Sequence, residues 1–205
     1  MGRMVKSSQP QKGQGPARPL ARCTLGQERQ TTVTLCNRQR VRRVDVRLLR
    51  RIVHALLRET WPNGSLDLAI YLVSAPEITR LNETFLQHKG STDVITFDYA
   101  EGLGQASHLS NSATRQRLGR ERRNAAFSLL HGEVFVCLDE AVSQGRRFHA
   151  TWQSEVVRYA VHGVLHLLGY DDRHARARRR MKKAEDTLVG QLAGRFDFQR
   201  LGLRS

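Results

Sequence analysis

The sequence predicts an α+β domain of about four short strands and several helices, organised around one central helix that carries metal ligands. Three observations lead there. Four short segments rich in β-branched and aromatic residues are bounded by turn residues, as strands are. Longer segments between and after them repeat apolar residues at helical spacing. The most apolar of these helices carries His162 and His166, and Asp172 and His174 follow within one turn's reach of its end.

Taken in order, residues 1 to about 30 are rich in Gln, Gly, Pro, Ser and Arg and nearly free of acid. They lack the apolar stretch of a secretory signal, and their Gln and Pro content and weak amphipathicity argue against an organellar transit peptide. They are expected to form a disordered basic tail able to hold RNA electrostatically, and a start at Met4 is also open. A single domain is expected over 31–192. Residues 32–36 alternate like a strand. Asp45 can cap a helix running to about residue 60, with Leu49, Ile52, Val53 and Leu56 on its apolar face. Arg42, Arg43, Arg47, Arg50 and Arg51 give its start a strong positive field. Trp61-Pro62-Asn63-Gly64 is a turn, and residues 66–74 read as a strand. Pro76 suits the first turn of a short helix carrying Ile78, Leu81 and Phe85.

Residues 92–97 form the third expected strand, entered from a Gly-Ser turn. No period holds over 101–130, where Gly, Ser, Asn, Gln and five arginines dominate, so a mobile basic loop insertion is expected. Residues 131–136 read as the fourth strand and 139–147 as a helix. The central helix then spans about 152–168, with Val156, Val157, Ala160, Val161, Val164, Leu165 and Leu168 as its buried stripe. Glu155, seven residues before His162, shares its face and could receive an imidazole N–H, or could simply be an exposed glutamate at the helix start. A last helix over 174–190 is very basic from Arg176 to Lys183, and 193–205 read as a C-terminal tail.

Two histidines four residues apart on a helix lie about 40° apart around its axis, so both imidazoles can reach one ion. Gly169 can take the left-handed conformation that ends a helix and swings the chain back towards the pair. Three N or O donors with one position left open suit a zinc ion. The spacing resembles the long zinc motif of metzincin peptidases, whose general-base glutamate directly follows the first histidine. Here that position is Gly163, which leaves peptide hydrolysis without its base. A glycine inside an apolar helix costs about 1 kcal/mol against alanine, so close approach of another backbone or a ligand is expected at Gly163.

The 205 residues carry a formal charge of +15, which a polyanion partner explains better than a small-molecule substrate does. Cys23, Cys36 and Cys137 have no paired spacing and suggest a reducing, cytoplasmic compartment. No run is long and apolar enough for a membrane span, and nothing points to a small-molecule cofactor.

At this point the residues carry a family resemblance. The run His162-Gly-x-Leu-His166-Leu-x-Gly-Tyr-Asp, preceded by Leu81-Asn82 and by Thr92-Asp93-Val94-Ile95-Thr96-Phe97, looks like the YbeY family of bacterial rRNA-maturation endoribonucleases. The match covers roughly 31 to 190, and Gly132-Glu133-Val134 stands where the family usually has Gly-Asp-Ile. The resemblance implies a small mixed β-sheet packed against helices, with a metal cleft where the histidine helix faces the sheet. It also implies a single-strand-specific, metal-dependent endoribonuclease acting on rRNA of the small ribosomal subunit, in its maturation and quality control. One zinc per chain, held by His162, His166 and Asp172 as the catalytic set, is the expectation.

Two departures qualify it. The family's third ligand is a histidine directly after Tyr-Asp, where this chain has Asp172. A carboxylate is a legitimate zinc ligand and keeps the register after Gly169, whereas His174 could serve if the loop relaxes. The family also has an arginine associated with activity where Leu86 stands, and His88 or Lys89 could supply a cation from the next turn. The attacking group could be water or the neighbouring 2′-OH. The arginines at 42–51, 115–123 and 173–180 would hold phosphates. A non-catalytic ribosome-assembly factor with a structural metal is the second reading and a zincin-like peptidase the third. The residues do not decide the oligomeric state.

Overall fold

The computed structural model describes residues 31–99 and 129–203. The expected tail over 1–30 and nearly all of the expected insertion over 101–130 lie outside the described residues. Strands β1 (Thr31–Asn37), β2 (Ser65–Val73), β3 (Val94–Asp98) and β4 (Leu129–Cys137) make one mixed sheet in the order β1-β2-β4-β3. β1–β2 and β2–β4 are parallel, and β3 runs antiparallel along the β4 edge. The parallel pairs need crossovers, which α1 (Val46–Thr60) supplies between β1 and β2.

The period-2 alternation of β2 decides which residues meet which layer. Leu66, Leu68, Ile70 and Leu72 face the main core with Val134 and Val136 of β4. That face is covered by α1, by α4 (Trp152–Leu167) and by α5 (Ala175–Ala193). Val73, Ile95 and Phe135 face the other way and are covered by Ile78 of the short α2 (Ala75–Leu81). Helix α3 (Leu138–Arg147) continues directly from β4 and packs beside α4.

Local chemistry sets the helix ends. Asp45 Oδ1 accepts from the Leu48 amide at 2.9 Å, capping α1. Thr151 Oγ1 does the same for Ser154 of α4 at 3.2 Å. At the far end of α4, Gly169 takes φ 82° and the Tyr170 amide donates back to the Leu165 carbonyl at 3.0 Å. This tight reversal directs residues 170–174 back along the helix. All seven residues of the expected stripe on α4 are buried. A Cβ added at Gly163 would press into Val134 Cγ1, so the glycine is there because α4 lies directly on β4.

Two segments differ from expectation. Phe85 does not share the apolar face of Ile78. The chain widens into a π-turn over Asn82–Leu86, which rotates Phe85 outwards to 61% exposure, and Gln87 ends the turn in a left-handed conformation. Residues after 193, expected as a tail, instead carry a 3-10 turn over Phe198–Leu201 that belongs to the core. Phe198 and Leu201 are buried, the Asp45 amide donates to the Leu201 carbonyl at 2.8 Å, and Val44 bridges Gly202. The stretch is too short to show a period, so its burial has no sequence signature. Among the described residues, no helix is long and apolar enough to cross a membrane.

Candidate metal centre

His162 and His166 project from one face of α4 with their Nε2 atoms 3.0 Å apart and their rings near perpendicular, at 78°. The reversal at Gly169 brings Asp172 to the pair, with Oδ2 4.0 Å from His162 Nε2. Ligand atoms of His162, His166 and Asp172 all lie within 4.8 Å of one another. His174 is not part of this group. It is exposed and sits at the N-cap of α5, where its side chain makes no capping bond. The Asp172 carbonyl accepts from Arg178 Nε at 2.9 Å, which ties the ligand loop to the first turn of α5.

The hydrogen bonds around the imidazoles decide what the group can hold. His162 Nδ1 lies 2.9 Å from Glu185 Oε2, and His166 Nδ1 lies 3.2 Å from the Tyr170 carbonyl. A carboxylate and a carbonyl only accept, so each Nδ1 carries the proton. With both rings neutral, the two Nε2 atoms are lone pairs facing one another at 3.0 Å, two acceptors with no donor between them. A cation at that point satisfies both. Two donors on a tetrahedral zinc at roughly 2.0–2.1 Å stand about 3.3 Å apart, close to the observed spacing. Burial, and His162 beside it, push the His166 imidazole below its usual value, while the Asp172 carboxylate opposes the shift. A neutral His166 keeps its lone pair for a ligand.

Glu155 does not take the expected place beside an imidazole. It is buried, and its nearest ion-pair contact is Arg158 Nε at 4.0 Å. Glu185 of α5 occupies that place instead. The signal was in the sequence: Met181, Glu185 and Val189 follow one another at four-residue spacing on the buried face of α5. An acid on an apolar stripe needs a partner, and here the partners are His162, Arg158 and Lys182.

Around the centre the charge is positive. Arg173, Arg176, Arg178, Arg179, Arg180, Lys182 and Lys183 are all exposed. A groove of about 590 Å³ runs between the ends of α1 and α4 and the middle of α5, with Leu165, Leu168 and Leu188 below and Arg180 and Lys183 at the rim. Arg47, Arg50 and Arg51 are exposed on α1, and the folded-back C-terminal segment adds exposed Arg195 and Arg200 to the helices it packs on. Leu86 lies in the π-turn at 44% exposure, and His88 and Lys89 are exposed in the segment that follows it.

The family model for endoribonuclease YbeY matches residues 33–193. A protein of Salinibacter ruber named endoribonuclease YbeY is 33% identical over 119 residues, 58% of this chain and 66% of its own length. One of Chlorobium luteolum with the same name is 30% identical over 151 residues, 74% of this chain and 91% of its own. The fold is similar to the solution structure of a Thermotoga maritima protein, with a TM-score of 0.51 at 21% identity over 80% of this chain and 91% of that one.

Proposed function

The chain belongs to the endoribonuclease YbeY family, and from that premise we propose that it is a single-strand-specific, metal-dependent endoribonuclease. We infer that it acts in small-subunit rRNA maturation and ribosome quality control, with rRNA as substrate and one zinc per chain. The observation that carries this reading is the convergence of two imidazole lone pairs at 3.0 Å with a carboxylate beside them. His162, His166 and Asp172 would hold the ion. When bound there, zinc supplies electrophilic stabilisation of charge developing on the scissile phosphate.

The remaining work falls to the chain's own residues. Glu185 and the Tyr170 carbonyl orient the two imidazoles. The exposed arginines of α5 and α1 would bind backbone phosphates of the RNA. Rings on the described surface are few, so stacking is secondary to backbone contacts. Free Cys36 and Cys137 support a reducing, cytoplasmic setting.

One observation favours a second reading. Leu86 replaces the family's arginine, and a centre without that cation suits an assembly factor whose metal is structural. Cleavage of single-stranded rRNA by zinc-loaded protein and by His166→Ala separates the two. The nuclease cuts and the variant does not, whereas equal inertness of both supports the assembly factor. A 2′,3′-cyclic phosphate on the product identifies the 2′-OH as the attacking group, and its absence identifies water. The peptidase reading lacks the glutamate that would serve as general base, since Gly163 holds that position against Val134.

A further inference from the structure

Glu185 is a buried carboxylate on a helix whose first half is strongly basic, and its two oxygens face different chemistry. Oε1 accepts from Arg158 Nη1 at 2.6 Å and from Lys182 Nζ at 3.0 Å. Oε2 faces His162 Nδ1 at 2.9 Å. Arg158 and Lys182 are themselves tied to Asp186 Oδ1 at 2.8 and 3.1 Å, so the clamp spans α4 and α5. Burial alone would raise the Glu185 carboxyl, yet the hydrogen bonds from His162, Arg158 and Lys182 hold it down to about 2.

We propose that Glu185 is the positioning residue of the metal centre, holding His162 as the Nδ1–H tautomer so that its Nε2 lone pair is presented as a ligand. The inference rests on the reading of His162, His166 and Asp172 as a metal site, but its core concerns one proton. With both cations committed to Oε1, Oε2 can only accept, and the imidazole must donate to it from Nδ1. The ring cannot turn over without stranding a buried carboxylate oxygen. Arg158, one helical turn before His162, thereby acts on the ligand through Glu185 without touching it.

The isosteric variant Glu185→Gln makes this testable, because an amide has only one acceptor. Arg158 and Lys182 take the amide oxygen, which leaves the NH2 group facing His162 Nδ1. That nitrogen must then accept, and the ring proton moves to Nε2. From there it donates to His166 Nε2, 3.0 Å away. The variant satisfies every hydrogen bond by closing the ligand pair on itself, so it folds but no longer offers the lone pair.

Two measurements on the full chain decide the matter. Long-range imidazole 15N–1H spectra of zinc-free protein should show His162 protonated on Nδ1 in the wild type and on Nε2 in Glu185→Gln. Competition for zinc against a chromophoric chelator should show affinity lower by roughly 10- to 100-fold in the variant, the usual effect of losing a ligand's hydrogen-bond partner. A residue that merely fills space would change neither. A wild-type His162 protonated on Nε2 alone overturns the proposal without need of any variant, and so does a Glu185→Gln protein that binds zinc as tightly as the wild type. Should the wild type show the Nδ1 proton and bind no zinc, the tautomer assignment stands and the metal reading falls.

Discussion

Asp172 stands where the family's run would place a histidine, and that exchange alters the charge of the centre more than its reach. If Asp172 is the third ligand, Asp172→Ala costs far more zinc affinity than His174→Ala, because a directly bound donor outweighs the 10- to 100-fold effects of its supporting contacts. Asp172→His keeps the register and retains metal. Chelator competition reads all three, and loss of zinc in His174→Ala with retention in Asp172→Ala would assign the ligand to His174. The histidine pair and the turn at Gly169 were legible because helix geometry alone puts them together. The partner of His162 was not. Glu155 and Glu185 each sit on the buried face of their own helix, and the sequence reports that face without reporting which helix crosses behind it. Only the docking of α5 against α4 chooses Glu185.

At the scale of elements, the seating of α4 on β4 is the contact that fixes the depth of the centre. Gly163 meets Val134 and Gly132 meets Leu167, so two glycines, one on each surface, let helix and strand approach closely. Gly163→Ala gains about 1 kcal/mol of helix propensity and meets an overpacking cost of about 1–3 kcal/mol. The expected net effect is destabilising, read as a lower denaturant midpoint at unchanged slope. Gly163→Ala should cost less in a Val134→Ala background than in the wild type, and an additive double variant would show that the two sites do not touch. Strands and long helices were readable to within three residues at either end because their periods are long enough to count. The π-turn over Asn82–Leu86 and the 3-10 turn over Phe198–Leu201 were not. Each is a single turn, and its side-chain directions come from the surface it lands on.

Among the described residues, the charges of α5 are segregated. On α5 the acids Glu185 and Asp186 are consumed by Arg158 and Lys182, which leaves the basic N-terminal half of that helix uncompensated beside the centre. RNA affinity should therefore fall steeply with salt, by a slope near 0.7 in log–log terms for each single-strand phosphate contact. Neutralising Arg176, Arg178, Arg179 and Arg180 together should flatten that slope, and an unchanged slope would remove α5 from the RNA surface. The basic runs of α5 and α1 were legible in the sequence, whereas Arg195 and Arg200 were not, since they reach α1 only through the folded-back C-terminal segment. That segment also bears on timing. A ribosome delivers α1 early, yet Leu201, buried against the start of that helix, arrives only after β2 through α5 have been made. Until it does, the flank of α1 that Phe198 and Leu201 cover faces water. Completion of this fold therefore waits on translation itself, and a chain stalled short of residue 198 exposes an apolar flank to whatever surveys nascent polypeptides.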